Sequence, residues 1–413
     1  MKYNLVLLFL LLVGCSKIPL DEVPTPIGGG DSKIENPYEL FSINYTNNSV
    51  LNRIPILFKN LKDLDIKWDE NIYPSDIAIL DYNSDGYYDF VGGGSNFDAS
   101  YEGIEERNPF IFYTGDEEGN LTYDSVNSQK FTSLIHGTLA VVNDFNQDGN
   151  LDIFFAGTGF EKPDGPCCEY PILLESDGNG SFVQIDFPNV FGYWFGVTTG
   201  DVNDNGIIDI KFTSPKPFEE TPSYLIEFIG GVYTTIEWND NLDYSQTFDK
   251  LTTEVVDLDN DGLDDIIYGG REYNNSSFHR NTWSTSFIKF SDNEISLIPV
   301  EGYETTDISD IQVNDIDNDG DLDLFLLRTD WTVPGDVKNY IQIIRNDDRT
   351  FVDITETNVL SYLNGTGAQI GRIIITDSNS DGIYELKNYT LMSVNYTFTD
   401  FNFEIINGKL IKK

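Results

Sequence analysis

The chain has 413 residues and a net charge of −44, from 69 Asp and Glu against 25 Lys and Arg. That balance excludes nucleic acid as a partner, because binding a polyanion depends on Lys and Arg neutralising phosphates. With only two histidines and three cysteines, neither a zinc site nor a disulfide scaffold is on offer.

The N-terminus reads as an address rather than as fold. Met1-Lys2 is a basic start, Leu5 to Val13 an apolar stretch, and Leu12-Val13-Gly14-Cys15 a small-residue cleavage site. The apolar run is too short to stay in a bilayer as a spanning helix. Cys at its end resembles the lipobox of bacterial lipoproteins. The resemblance implies a signal peptide over residues 1–14, a lipid on Cys15 and a membrane anchor at the outer membrane or cell surface. Residues 15–37, with four prolines after Cys15 and the run Gly28-Gly29-Gly30, form a tether.

From residue 38 onward the chain is repetitive. A first segment holds an apolar run, ELFSINY from Glu39, and a hairpin, IPILFKNLKDLDIKW from Ile54. Then six acidic loops begin at Asp81, Asp144, Asp201, Asp257, Asp315 and Asp377, at steps of 63, 57, 56, 58 and 62 residues. Each reads D-x-[DN]-x-[DN]-G-x-x-[DE]. Positions 1, 3, 5 and 9 are Asp81, Asn83, Asp85 and Asp89 in the first loop and Asp144, Asn146, Asp148 and Asp152 in the second. They are Asp201, Asn203, Asn205 and Asp209 in the third, then Asp257, Asp259, Asp261 and Asp265 in the fourth. The fifth has Asp315, Asp317, Asp319 and Asp323, and the sixth Asp377, Asn379, Asp381 and Glu385. Oxygen ligands converging in a tight loop suit a hard cation such as Ca2+, with position 7 lending a backbone carbonyl. Glycine at position 6 permits the sharp turn. An EF-hand is excluded, since it needs Glu at position 12, where Gly92, Phe155, Phe212, Tyr268, Leu326 and Asn388 stand.

β-branched runs precede the loops (DIAIL from Asp76, TLAVV from Thr138, TTEVV from Thr252, IIIT from Ile373) and apolar runs follow them. A hairpin then closes each unit, for example PILLESDGNGSFVQI from Pro171 and YLIEFIGGVYTTI from Tyr224. Each unit is thus four short strands, A to D, with the acidic loop between A and B. The expected fold is all-β, a β-propeller of four-stranded blades. Seven hairpins against six loops give seven blades, the first without metal; six remain if residues 38–75 merely pack alongside.

The loops and hairpins resemble the FG-GAP or VCBS repeats of integrin-α-like propellers over residues 38–413. The resemblance implies up to six structural Ca2+ ions on one face. The third loop, with two carboxylates, is expected to bind most weakly. Cys167-Cys168 is either a strained bridge between neighbours or two thiols.

Function is then sought on the opposite face, made by the B–C and D–A connections. Arg107, Arg271, Tyr273, His279, Arg280, Trp283, Arg328 and Trp331 fall there, with His136 and Trp194. Aromatics stack on sugars or side chains, and guanidinium pairs with anionic groups. The leading expectation is a non-catalytic, calcium-stabilised surface module binding an extracellular glycan or protein. The alternatives are a polysaccharide lyase on uronic-acid polymers and a structural subunit of an envelope complex.

Overall fold

The computed structural model describes residues 72–73, 77–87, 89–93, 95–96, 107, 109–116, 121–160, 168–213, 223–238, 248–272, 286–299, 301–303, 306–317, 319–330, 338–355, 372–376, 384–389, 403–406 and 409–412. The signal peptide, tether, Cys15, the hairpin from Ile54 and the sixth acidic loop lie outside them. So does the question of a seventh blade. The described residues all belong to the unit Asn36–Lys413. None of their helices is long and apolar enough to cross a membrane.

The strands, in chain order, are β1 (Ile72–Tyr73), β2 (Ile77–Leu80), β3 (Asp89–Gly92), β4 (Ser95–Asn96), β5 (Ile111–Gly115) and β6 (Leu121–Tyr123). The helical turn α1 (Ser125–Ser128) follows, capped by the Asp124 carboxylate, which accepts from the Val126 and Asn127 amides. Then come β7 (Gly137–Asn143), β8 (Asp152–Gly157), β9 (Ile172–Ser176), β10 (Phe182–Asp186), β11 (Gly196–Gly200), β12 (Asp209–Thr213), β13 (Ser223–Ile229) and β14 (Val232–Trp238). The rest are β15 (Phe248–Val256), β16 (Asp265–Glu272), β17 (Phe287–Lys289), β18 (Ile295–Leu297), β19 (Thr306–Asn314), β20 (Asp323–Asp330), β21 (Lys338–Asp347), β22 (Thr350–Asp353), β23 (Arg372–Thr376), β24 (Tyr384–Tyr389), β25 (Phe403–Ile406) and β26 (Lys409–Lys412).

Apart from the small β1–β4 pair, the described strands form six four-stranded antiparallel meanders. They are β2-β3-β5-β6, β7-β8-β9-β10, β11-β12-β13-β14, β15-β16-β17-β18, β19-β20-β21-β22 and β23-β24-β25-β26. The A strands β2, β7, β11, β15, β19 and β23 touch in succession. These are propeller blades, in the order that the sequence pattern predicts.

Strand alternation explains the stacking. Ile153 and Phe155 of β8 join the core shared with Leu80, Val91 and Phe112 of the first blade. Phe154 and Ala156, pointing the other way, join Phe212 and Ile226 of the third. One strand therefore glues two neighbours, which is why β8 is buried along its whole length. The D strands alternate between exposed and part-buried, as β14 and β22 do. Position 2 of each described loop is an apolar plug driven into these cores: Tyr82, Phe145, Val202, Leu258 and Ile316, none more than 8 % exposed.

Candidate metal centres

Five of the six acidic loops are described, and all share one hydrogen-bond pattern. The position 1 carboxylate accepts from the amides of positions 5 and 6. In the first loop these are Asp85 N to Asp81 Oδ1 at 3.1 Å and Gly86 N to Asp81 Oδ2 at 2.9 Å. The other four repeat it. Position 6 glycines sit at φ between 80° and 101°, the left-handed region where a side chain is penalised. Position 4 is left-handed too, at Ser84, Gln147, Asp204 and Asn260 with φ of 58–59°. Sequence reading missed this second feature; the polar residues at position 4 were its only trace.

Position 9 differs from the others. Asp89, Asp152, Asp209, Asp265 and Asp323 are the first residues of their B strands and are 0–1 % exposed. Each takes the position 2 amide on Oδ2, as Tyr82 N does to Asp89 at 3.0 Å. Oδ1 takes an amide from the end of strand C or just beyond it in four of the five: Gly115, Ser176, Ser291 and Asn346. Desolvation pushes the carboxyls of Asp89, Asp152, Asp265 and Asp323 up to about 7, and that of Asp209 to about 8. Neighbouring carboxylates push in the same direction.

The donor set fits a hard divalent cation. In the fourth loop, ligand oxygens of Asp257, Asp259 and Asp265 all lie within 4.8 Å of one another, as do those of Asp315, Asp317 and Asp323 in the fifth. Crowded, desolvated oxygens of one sign are what such an ion coordinates.

Contacts from the following blade hold these turns. Gly180 N donates to Tyr82 O at 3.2 Å, and Asn346 Nδ2 to Leu258 O at 2.9 Å. Asp201 N donates to Asp264 Oδ2 at 2.7 Å. Arg349, from the β21–β22 turn, lies over the Phe290 ring at 4.3 Å and pairs with Asp259, Asp292 and Glu294.

The opposite edge is built differently from what the sequence suggests. Arg328 lies within β20 and is fully buried, with Nε donating to Gln342 Oε1 at 2.5 Å and the guanidinium 5.1 Å from the Tyr303 ring. Desolvation lowers its pKa to about 10. It belongs to the interior and leaves the set of exposed binding residues. Trp194 is likewise a core residue, edge-on to Phe212 at 4.7 Å. His136 is buried, its Nδ1 3.0 Å from Thr158 Oγ1. All three were misplaced for one reason: the groups that cover them come from other strands, Gln342 on β21, Phe212 on β12 and Thr158 just after β8.

Arg107 reaches Ser133 O at 3.3 Å and Glu169 Oε2 at 3.4 Å. Glu169, 1 % exposed, also accepts from the Ile135, His136 and Gly159 amides at 2.8, 3.1 and 2.9 Å. Gly157 makes room for it, since a Cβ there would come within 2.5 Å of Glu169 Oε1. Cys168 beside it is buried and disulfide-bonded; Cys167 lies outside the described residues. Arg271 ends up in β16, opposite Asp249. Tyr273, His279, Arg280, Trp283 and Trp331 lie outside the described residues. An aromatic pair that the sequence did not flag does face solvent here: Tyr170 and Phe191, 46 % and 50 % exposed, with ring centroids 4.8 Å apart.

A protein-family profile described as FG-GAP-like repeat matches residues 144–210 and 257–326, the first running from the second loop through the third and the other from the fourth through the fifth. No curated protein matches the chain. Among solved structures, the alpha-L-arabinofuranosidase Arb93A from Fusarium graminearum, in complex with an iminosugar inhibitor, aligns at 10 % identity and a TM-score of 0.41. The alignment covers 78 % of this chain and 89 % of that one.

Proposed function

We propose that this chain, which carries FG-GAP-like repeats and folds into propeller blades, is a calcium-stabilised, non-catalytic binding module. It is held at the outer membrane or cell surface by a lipid on Cys15. The A–B loop edge carries Ca2+ as a structural clamp, and the opposite edge meets an extracellular glycan or protein.

One observation carries the metal half: carboxylate oxygens within 4.8 Å of one another in two loops, each set including an Asp withdrawn from water. Without a cation such oxygens repel, and position 9 is driven toward its protonated form. A divalent ion reverses that. Extracellular modules bind calcium with dissociation constants of about 10⁻⁴–10⁻³ M, which suits a surface bathed in it.

The binding half rests on the aromatics of the other edge. Tyr170 and Phe191 are half exposed with their rings 4.8 Å apart, and the run Tyr273 to Trp283 adds His279, Arg280 and Trp283 to the connection after β16. Ring faces stack on sugars and guanidinium pairs with acidic groups.

A glycan array probed with and without calcium tests the reading. Binding that survives Arg280→Ala with Trp283→Ala, and also Tyr170→Ala with Phe191→Ala, would remove this edge as the site. Uronate polymers converted to unsaturated, ultraviolet-absorbing products would instead make the chain a lyase. A sugar-independent envelope partner in pull-downs would make it an assembly subunit.

A further inference from the structure

The geometry points to Glu227, on strand β13, as a metal ligand that completes the third site. This rests on the reading that the A–B loops hold calcium, and it implies a third site no weaker than its neighbours.

The third loop has Asn at positions 3 and 5, leaving two carboxylates, Asp201 and Asp209. In the loops with Asp at position 5, Oδ1 accepts the amide of position 7, as Asp85 and Asp261 do from Tyr87 and Leu263. Their second oxygen is a further acceptor, taking Asn83 Nδ2 in Asp85 and Ser291 Oγ in Asp261. Asn205 spends its Oδ1 the same way, on Ile207 N at 2.8 Å. What it offers beyond that is Nδ2, a donor, which no cation accepts.

Glu227 fills the gap. It is 2 % exposed, and its Oε1 accepts from Nδ2 of both Asn203 and, at 3.2 Å, Asn205. The β12–β13 register pairs Ile210 with Ile226, so Asp209 faces Glu227 across the ladder. Asp209 Oδ1 is buried and takes no strand C amide, unlike its four described counterparts; what it meets is the Glu227 carboxyl, and Asn203 Oδ1 is buried without a partner. Two enclosed carboxyl groups and an orphaned amide oxygen thus meet, and among the described residues no hydrogen bond or ion pair to Glu227 or Asp209 comes from a cationic side chain. Such an arrangement is costly unless a cation completes it. Turning the Asn203 amide about its χ2 would put this same Oδ1 where Nδ2 now meets Glu227.

The residue facing position 9 from strand C varies with the loop in a telling way. By register it is Thr114, Glu175, Glu227, Phe290, Arg345 and Glu404 in successive blades. The two loops with four carboxylates face Phe290 and Arg345. The loop with two faces Glu227. Strand C thus restores charge where the loop lacks it and withholds it where the loop has enough.

The test is calcium stoichiometry by equilibrium dialysis on the mature chain, with Glu227→Gln, with Asn205→Asp plus Glu227→Gln, and with Asp257→Asn as a control in the fourth loop. Glu227→Gln is expected to bind one ion fewer than wild type, and adding Asn205→Asp to restore it. If the single variant does not fold, Glu227→Asp decides: one ion fewer at the concentration that saturates wild type supports the assignment, and an undiminished count overturns it. An undiminished count in Glu227→Gln, alongside a loss in Asp257→Asn, overturns the Glu227 role and leaves the loop sites standing. No calcium on wild type overturns both.

Discussion

Asp152 and Glu169 belong to the same blade and are equally withdrawn from water, at 0 % and 1 % exposure, yet they lie on opposite edges and are held by opposite means. Glu169 is completed from within: three amides and the Arg107 guanidinium converge on it. Asp152 receives two amides, and its charged neighbours, Glu175 and Asp148, have its own sign. One edge therefore carries its own counter-charge, and the other depends on a counter-charge from solution. Stability at the first should be indifferent to the ionic medium. At the second it should follow the medium closely.

The largest break in that comparison comes from chelation. At calcium tenfold above the dissociation constant, each ion contributes about 1.4 kcal/mol. Six ions against an unfolding entropy of about 2.1 cal/mol/K per residue place the thermal midpoint about 10 °C lower in excess chelator. A midpoint unmoved by chelator, followed by circular dichroism, would reduce the loops to ordinary turns. Next is Glu169→Ala, which strands three amides and a guanidinium. It should destabilise by about 3 kcal/mol, by the same amount in calcium and in chelator. A calcium-dependent penalty would show that the two edges are not separate.

A subtler test uses pH. The position 9 carboxyls hold their protons to about 7 or 8 when folded and to about 3.9 in an unfolded chain. Between those values the folded state binds more protons, so without calcium stability falls as pH rises. In chelator the midpoint should be higher at about pH 5.5 than at about pH 8. In calcium the order should invert, because the ion displaces those protons. A pH profile with the same slope in both media would contradict the assignment. The smallest effect belongs to Arg349→Gln, which removes a part-exposed cation from Asp259, Asp292 and Glu294. Its pairs with Asp292 and Glu294 are exposed and contribute little, and bound calcium can take over the Asp259 charge, so in calcium its midpoint should move least of all. A larger shift than that of Glu169→Ala would reverse the ranking of the edges.

The blades were legible because their signals are local. A glycine after two oxygen-bearing residues, flanked by β-branched runs, marks a turn between strands wherever it occurs, and the hairpins followed from their Gly, Asn and Asp turns. The repeat in register also exposed the acidic loop positions. Burial was legible only in part, because it is set by side chains on other strands. Nothing near Arg328 announces that Tyr303 and Gln342 will enclose it, and nothing near Trp194 announces Phe212. Glu227 was hidden in a run reading YLIEFI, where a lone acid resembles the polar half of a strand's alternation. Only the register across β12 and β13 reveals that it faces Asp209.

The inter-blade contacts at the loop edge give the molecule a direction. Tyr82 O is held by Gly180 and Leu258 O by Asn346, so in both cases a turn is fastened by the module translated after it. Shortening the chain from its two ends is therefore not equivalent. Cutting before β21 strips the fourth turn of Asn346 and Arg349 although every residue of that turn survives, whereas losing the modules ahead of it leaves that fastening whole. Like overlapping roof tiles, the blades depend on the next course laid rather than on the last.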